Sequence, residues 1–278
     1  TNTLAILGSL HVLYKKKKLQ KTIRWVGSSA GALLCLTAVL GYSPESIFRL
    51  LMHIDYEKLN DANCDSMLSF YDTMGVLDGT RFVQLVERIV VKKGFHSNIT
   101  FCELAARTGK ELVVAGYNLT RGRTEVFDAC HTPHMSVLLA CRISISVPFL
   151  FRPVQFNESL YIDGCTVEHV PVRFRKYTEE AIIIQCVKQK PNSLEDGSAP
   201  PPTDIPSFFA LLQRRIGTQL HRRCMRRVLK SNPQSVISIC ISQAHSTSFV
   251  VDFNLTTERK RQLFLLGTEA TQKHLSEI

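Results

Sequence analysis

The sequence lacks any run of apolar residues long enough to cross a bilayer. Its longest apolar stretches are interrupted well short of the roughly 18 residues that a transmembrane helix needs. The chain also opens without the basic and then apolar segment of a secretory signal peptide. We therefore expect a soluble or peripheral protein that lies in the cytoplasm and meets membranes only at their surface.

The spacing of a metal site is also missing, although cysteine is not scarce. Nine cysteines are scattered along the chain, and no two have the C-x-x-C spacing of a zinc site. An odd number cannot all form disulfides, so we expect reduced thiols, as in the cytosol. His131 and His134 stand near Pro133 without a supporting cluster of ligands. We therefore expect no metal site and no cofactor.

Acidic residues are outnumbered by basic ones, 24 against 34, which gives a formal net charge of +10. Such a chain attracts an acidic partner, either nucleic acid or an anionic lipid surface. The basic clusters contain no interleaved aromatic residues, and no zinc-finger or RNA-recognition motif is present. We therefore expect an anionic membrane surface and no nucleic acid. The two clusters consist of Lys15, Lys16, Lys17, Lys18, Lys21 and Arg24, and of Arg214, Arg215, Arg222, Arg223, Arg226, Arg227 and Lys230.

What the sequence does contain is a short apolar strand, a Gly-x-Ser-x-Gly turn and an uncharged helix over residues 22–41. In a nucleophile elbow the serine lies on a sharp strand-to-helix turn, and glycines flank it where the two elements crowd together. Ser29 is therefore the candidate nucleophile. The following helix would direct its N-terminal partial positive charge at Ser29, which favours a developing anion there. The other elbow residues are Gly27, Ser28, Ala30 and Gly31.

Hydrophobic periodicity predicts alternating helices and strands along the rest of the chain. The predicted helices cover 4–20, 44–53, about 78–90, 135–145, 205–230 and 256–276. The predicted strands cover 111–117, 124–127, 160–162, 181–187 and 236–241. Strands separated by helices favour an α/β sandwich. A proline-rich linker at 191–204 would separate a core of 1–190 from an extension of 205–278 that packs on the same domain.

Ser29 needs a base, and the sequence offers two arrangements. A Ser-His-Asp triad needs a histidine after the acid in chain order, for which His169, His221 and His245 are candidates without a supporting motif. Alternatively, a carboxylate activates the serine directly. Asp163 ends a predicted strand and precedes a glycine turn, which frames it for that role.

With Ser29 in its elbow and Asp163 in a later turn with Gly164 and Cys165, the chain resembles the patatin-like phospholipases. Segments between and just after the two motifs extend the likeness, which covers residues 1–190. These segments are Thr100–Leu104, Thr108–Leu112, Tyr117–Leu119, Ala140–Pro153 and Val170–Val172. The resemblance implies a three-layer α/β/α sandwich with a central, mostly parallel sheet.

The resemblance also implies a lipid acyl hydrolase of the phospholipase A type. Asp163 would accept the proton of Ser29, which attacks the ester carbonyl of a phospholipid or another lipid and forms an acyl-enzyme. This chemistry needs no metal and no nucleotide. A triad hydrolase acting on soluble esters or peptides is a further alternative, in which one of the histidines replaces Asp163 as the base.

Two features depart from the family pattern. The sequence begins at Thr1, after the place of the family's oxyanion glycine run, and Asn2 and Thr3 stand in place of its basic residue and glycine. Either residues before Thr1 supply this run, or the protein stabilises the oxyanion otherwise. Losing one oxyanion donor typically lowers the rate about 10²–10³-fold. The second interpretation is therefore a catalytically weak or inactive relative that binds a membrane or a protein partner. Cys165 replaces a glycine or alanine and is small enough to fit.

Overall fold

The computed structural model describes residues 2–61, 68–168, 170–174, 180–188, 225–226, 228–230, 232–241 and 255–278. The helices are α1 (Thr3–Lys15), α2 (Ala30–Val39), α3 (Pro44–His53), α4 (Phe70–Thr73), α5 (Thr80–Lys92), α6 (Phe101–Thr108), α7 (Val137–Ser144) and α8 (Thr257–Ser276). The strands are β1 (Arg24–Ser28), β2 (Gly75–Leu77), β3 (Glu111–Asn118), β4 (Arg123–Phe127), β5 (Phe149–Phe151), β6 (Val154–Phe156), β7 (Ser159–Asp163), β8 (Ile183–Lys188) and β9 (Val236–Ile241). Within these ranges, no helix combines the length and the apolar character needed to cross a membrane.

The central sheet has five strands, and β3 is the strand to which three others pair. β1 pairs with β3 in parallel, with Arg24 opposite Glu111 and Ser28 opposite Ala115. β4 and β7 each pair antiparallel with β3, and β6 pairs antiparallel with β7. The pairs β2 with β5 and β8 with β9 are parallel and form two separate two-stranded sheets.

Two strands of the central sheet share one edge of β3. Val114 and Ala115 pair with both β1 and β4, so these two strands lie on opposite edges of β3. Residues 116–118 pair with both β4 and β7, so β7 also lies on the edge opposite β4. β1 and β7 therefore follow one another along the same edge. Their last residues, Ser28 and Asp163, stand opposite neighbouring residues of β3.

The predicted α/β class is confirmed, and the five-stranded sheet is mixed rather than mostly parallel. Short connections explain two of its three antiparallel pairs, β3 with β4 and β6 with β7. Four residues join β3 to β4, and Asn157 and Glu158 alone join β6 to β7 with positive φ angles of 44° and 57°. Connections this short produce hairpins, because a parallel crossover needs a dozen or so residues.

Helix α2 joins two apolar clusters of the described part of the chain. Its Ala32, Leu36 and Val39 belong to a core that also takes side chains from α5, α6, α7 and the central sheet. Its Leu34 packs with Leu7 of α1 in a second cluster, together with side chains of α3. The helix that follows Ser29 is therefore held by packing on both sides.

Helix α1 ends earlier than the sequence predicts. It stops at Lys15, and Lys17 adopts a left-handed conformation with φ of 58°. The N–H of Lys18 donates to the carbonyl of Leu13 at 2.9 Å, and the N–H of Lys17 donates to that of Tyr14 at 3.0 Å. This pair of hydrogen bonds is a Schellman cap, which closes the helix inside the lysine run.

The segment after residue 190 is only partly described. The linker 191–204 and most of the predicted helix 205–230 lie outside the described residues, while 225–226 and 228–230 are helical. Strand β9 and helix α8 agree with the predictions for 236–241 and 256–276. The division into core, linker and extension stays a prediction.

Helix α8 lies directly against α1 through two glycines. A Cβ atom added at Gly8 would overlap the carbonyl oxygen of Phe264, and one added at Gly267 would overlap that of Ala5. The hydroxyl of Ser9 also donates to the carbonyl of Gly267 at 3.1 Å. The two backbones touch because both positions lack a side chain.

Replacing Gly267 by alanine tests this contact. Alanine in a helix is normally favoured over glycine by about 1 kcal/mol, so local propensity alone predicts a gain in stability. Overpacking against Ala5 predicts instead that the free energy of unfolding falls by about 1–3 kcal/mol. Urea denaturation measures the difference. Glu269→Ala, at an exposed position of the same helix, is the control and should stay within about 0.5 kcal/mol of the wild type. A more stable Gly267→Ala variant would contradict the packing.

Candidate active site

Ser29 is the single residue between β1 and α2. Its φ of 53° and ψ of −136° are rare for a residue with a side chain. Such a conformation is costly and persists only where the surrounding structure enforces it. It turns the chain sharply from strand to helix and leaves Ser29 partly exposed at the N-terminus of α2, directly before Ala30.

The two elbow glycines have different surroundings. A Cβ atom at Gly27 would lie 2.7 Å from the backbone of Ala32, so strand and helix do crowd together there, as expected. A Cβ atom at Gly31 would have no neighbour within 4 Å. The crowding expected at the second glycine is therefore not found, and Gly31 instead leaves open space beside the first turn of α2.

Asp163 lies at the end of β7 with only 2% of its surface exposed. The hydroxyl of Ser29 lies close enough to this carboxylate to lower its pKa. One carboxylate oxygen, Oδ1, accepts a hydrogen bond from the backbone N–H of Cys165 at 2.8 Å. A Cβ atom at Gly164 would stand 2.7 Å from the Ser28 hydroxyl, so the turn needs glycine at this position. The structure thus brings the two predicted motifs into direct contact.

Burial changes the acidity of the groups in this turn. Removal from water raises the pKa of Asp163 to about 7, although the hydrogen bonds from Ser29 and Cys165 act in the opposite direction. A carboxyl group with a pKa near 7 is ionised in a large fraction of molecules at neutral pH and is still basic enough to take a proton. Burial, aided by the nearby charge of Asp163, raises the pKa of the Cys165 thiol. Cys165 therefore stays protonated and is a poor nucleophile.

Ser144, at the end of α7, positions the elbow. Its buried hydroxyl accepts a hydrogen bond from the backbone N–H of Ser29 at 2.9 Å and donates to the carbonyl of Ala115 at 2.6 Å. Ala115 is the residue of β3 that pairs with Ser28. A single hydroxyl thus joins the strained turn to the middle of the sheet. Sequence patterns predict a buried helix here and do not identify this contact.

Ser146 and Arg142 hold the other side of the site. The N–H of Asp163 donates to the carbonyl of Ser146 at 2.9 Å. The guanidinium of Arg142 donates to the Ser146 hydroxyl at 2.6 Å and to the carbonyls of Asp78 and Arg152, each at 2.8 Å. The segment 142–146 therefore fixes both Ser29 and Asp163, one through a side chain and the other through the backbone.

Most of the other candidate residues cannot be located, because they fall outside the described ranges. His169, His221 and His245 lie outside the described residues, and so do Arg214, Arg215, Arg222, Arg223 and Arg227. Arg226 is described and is exposed. His131 binds the buried carboxylate of Asp128 at 2.8 Å in the loop after β4. Among the described residues, no three metal-binding side chains stand close enough to hold an ion.

Comparison with known proteins gives a family match and several relatives. The family model described as patatin-like phospholipase matches residues 1–174. A probable lipid hydrolase, 463L of Invertebrate iridescent virus 6, is 31% identical over 170 residues, which are 60% of this chain and 57% of that protein. Protein R571 of Acanthamoeba polyphaga mimivirus is 26% identical over 278 residues, which are 99% of this chain and 90% of that protein.

Two solved structures share the fold. VipD from Legionella pneumophila superimposes with a TM-score of 0.64 at 14% identity, covering 99% of this chain and 65% of VipD. The type III effector ExoU of Pseudomonas aeruginosa gives a TM-score of 0.54 at 14% identity, covering 99% of this chain and 51% of ExoU. The chain thus spans between half and two thirds of the length of these two structures and of the iridescent virus protein. At 14% identity the structural likeness shows the fold alone, whereas the family model covers well over half of the chain. The chain therefore belongs to the patatin-like phospholipase family.

Proposed function

We propose that this protein is a lipid acyl hydrolase in which Ser29 is the nucleophile and Asp163 is the general base. The observation that carries the proposal is the position of Ser29, on a strained elbow, beside a carboxylate that is 2% exposed and whose pKa the Ser29 hydroxyl lowers. A serine hydroxyl is a weak nucleophile unless a base removes its proton as it attacks. Asp163 lies beside this hydroxyl and, with a pKa of about 7, can accept its proton near neutral pH.

The reaction proceeds in two halves. Asp163 takes the proton of Ser29 while Oγ attacks the carbonyl carbon of the ester, and the protonated carboxyl then gives that proton to the leaving alcohol oxygen. This leaves an acyl-enzyme ester on Ser29. In the second half Asp163 takes a proton from water, whose oxygen attacks the acyl carbon and releases the fatty acid. The proton returns to Oγ, so the dyad ends each turnover unchanged.

The N-terminus of α2 contributes to stabilising the oxyanion. The first N–H groups of an α-helix have no acceptor within the helix and carry a partial positive charge. Here those groups belong to Ala30 and Gly31, next to the nucleophile. Open space beside Gly31 leaves room for a substrate carbonyl to approach them. Donors aimed at the developing negative charge make up a large part of catalysis in acyl transfer.

A lipid ester is the proposed substrate, cleaved at an anionic membrane surface. The family match and the iridescent virus relative, named a probable lipid hydrolase, support a lipid substrate. Leu68 and Tyr71, beside and within α4, are 82% and 91% exposed, and exposed apolar side chains of this kind suit contact with a lipid interface. Arg226 and Lys230 are exposed cations of the predicted membrane-contact segment.

Removing either member of the dyad should abolish hydrolysis. We expect Ser29→Ala and Asp163→Asn each to lower kcat/KM for a phospholipid by at least about 10³-fold, because nucleophile and base act as a unit. The double variant should be no worse than either single one. Release of fatty acid from mixed vesicles measures the rate, and circular dichroism checks that each variant is folded.

Three results would contradict different parts of the proposal. Full activity of Asp163→Asn, together with loss of activity in His169→Ala, His221→Ala or His245→Ala, would favour a triad. Wild-type protein that binds vesicles without releasing fatty acid would favour an inactive, lipid-binding relative. Hydrolysis of soluble short-chain esters without hydrolysis of vesicle lipid would exclude the lipid substrate while leaving the dyad intact.

The pKa of Asp163 predicts the pH dependence of the rate. The base must be ionised to accept the proton of Ser29, so kcat/KM should rise with pH up to about 7 and then level off. A soluble ester whose ionisation is constant over this range gives the cleanest profile. A midpoint near pH 4, the ordinary value of an aspartate, would contradict the role of burial.

The same raised pKa predicts how stability depends on pH. The folded state holds the Asp163 proton more tightly than the unfolded state, so the wild type loses stability as the pH rises from about 4 to about 7. Asp163→Asn has no such proton. Its stability relative to the wild type should therefore increase by about 2–4 kcal/mol across this window. A constant difference between the two unfolding curves would show that Asp163 is not buried as described.

Ser144 gives a test of positioning without touching the reacting atoms. We expect Ser144→Ala to lower kcat by about 10–100-fold with little change in KM, because the elbow loses the hydroxyl that accepts the N–H of Ser29. Ser146→Ala is the matched control, since its hydroxyl contacts Arg142 and neither member of the dyad. Similar kcat losses in both variants, or none in Ser144→Ala, would refute the positioning role.

A further inference from the structure

A cavity of about 550 Å³ lies at the opposite end of β1 and α2 from the dyad. It is lined by Trp25, near the start of β1, and by Ala38 and Gly41, near the end of α2. α2 spans 10 residues and begins beside Ser29, so the cavity and the dyad are separated by about 15 Å along the helix. The volume falls within the range of small-molecule sites, about 300–1,000 Å³.

The floor of this cavity is apolar. Leu7 and Leu10 of α1, Leu34 of α2 and Ile47 of α3 line it, and each is no more than 8% exposed. The half-buried ring of Trp25 completes the floor. These side chains belong to one apolar cluster of the core. A hydrocarbon chain placed there would gain free energy by leaving water.

The rim of the cavity is cationic. Lys15, Lys17 and Lys110 line it, and the lining contains no aspartate or glutamate. Among the described residues, no ion pair engages any of the three lysines. Glu45 and Glu111 each follow a lining residue in the chain, and they pair with Arg49 and Arg24 respectively. The positive charge of the rim is therefore uncompensated by protein carboxylates in the described part of the chain.

We propose that this cavity binds a free long-chain fatty acid, with the hydrocarbon chain on the apolar floor and the carboxylate at the lysine rim. Charge complementarity favours a fatty acid over two other occupants of the cavity, a segment of the same chain and a second copy of the chain. The chain's own segment 205–230 contains seven basic residues within the cluster from Arg214 to Lys230, and a second copy of the chain carries the same net charge of +10. Both would be repelled by the lysines, whereas a single carboxylate on an apolar chain matches both surfaces.

The ligand is of the chemical class that the dyad would release, and that link rests on the proposed function. Binding itself does not require turnover, because the cavity shares no residue with the dyad or its turn. α2 connects the two sites, since Leu34 and Ala38 line the cavity and the first turn of the helix adjoins Ser29. A bound fatty acid would therefore contact the helix that carries the nucleophile elbow.

Trp25 is the only tryptophan of the chain, so its fluorescence reports on this cavity. Bromine atoms quench an indole on contact, and a long-chain fatty acid brominated along its chain therefore detects occupancy. The titration uses the full chain with Ser29→Ala, so that failure of catalysis and failure of binding are separate results. We expect saturable quenching with brominated fatty acid below its micelle concentration, and displacement by the same acid without bromine.

Two double variants test the rim. Lys15→Gln/Lys17→Gln removes two charges from the lining and should weaken binding by about tenfold. Lys16→Gln/Lys18→Gln is the matched control, because it removes the same charge from the same run at positions outside the lining. It should leave the dissociation constant unchanged. A long-chain alcohol of equal length carries no charge. It should bind more weakly than the acid to protein with all of these lysines intact, and its dissociation constant should be the same for both double variants.

Each opposite outcome overturns the proposal. Absence of quenching shows that no chain reaches Trp25. Equal weakening by the two double variants shows non-specific attraction to the lysine run. Quenching by vesicles of brominated phospholipid, without quenching by the monomeric fatty acid, assigns the surface to membrane contact instead.

Discussion

The pairing of two strands end to end along one edge of β3 is the constraint on which the candidate site depends. β1 arrives in parallel and β7 in antiparallel orientation, so both strands finish beside the junction of Ala115 and Gly116. Ser29 and Asp163 lie 134 positions apart in the chain and meet because of this register. A shift of either strand by one residue would turn its side chains to the other face and separate the two groups. The register of the sheet therefore sets the geometry of the dyad.

Both groups at this junction reduce the stability of the fold. Ser29 holds a strained backbone, and Asp163 keeps a carboxyl group almost completely out of water. The segment that ends α7 offsets these penalties locally, because Ser144 satisfies the N–H of the elbow and Ser146 that of Asp163. Arg142 ties the same segment to neighbouring backbone carbonyls. Strain of this kind concentrates at functional sites, which is consistent with a preorganised active site.

The sequence predicted what depends on local chemistry and missed what depends on distant contacts. The Gly-x-Ser-x-Gly turn and the Asp-Gly turn are local backbone requirements, so Ser29 and Asp163 could be named as candidates without a structure. The contact of the Ser144 hydroxyl could not be predicted, because the sequence around a buried small residue does not indicate its hydrogen-bond partner. The sequence predictions also omit helix α6, although the capping box of Thr100 and Glu103 is a sequence signal for the start of a helix. The end of α1 depends on a lysine in a left-handed conformation, which no lysine-rich pattern predicts.

The most direct test of the account is to identify which residue reacts with a fluorophosphonate, a reagent that phosphonylates activated serines. Tryptic cleavage gives the peptide 25–49, which contains Ser28 and Ser29, and fragmentation in a mass spectrometer distinguishes the two. The account predicts rapid modification of Ser29 alone, and slow modification once Asp163 is replaced by asparagine. Modification of Ser28 or of a serine elsewhere, or labelling of Ser29 at an unchanged rate in Asp163→Asn, would contradict the central claim.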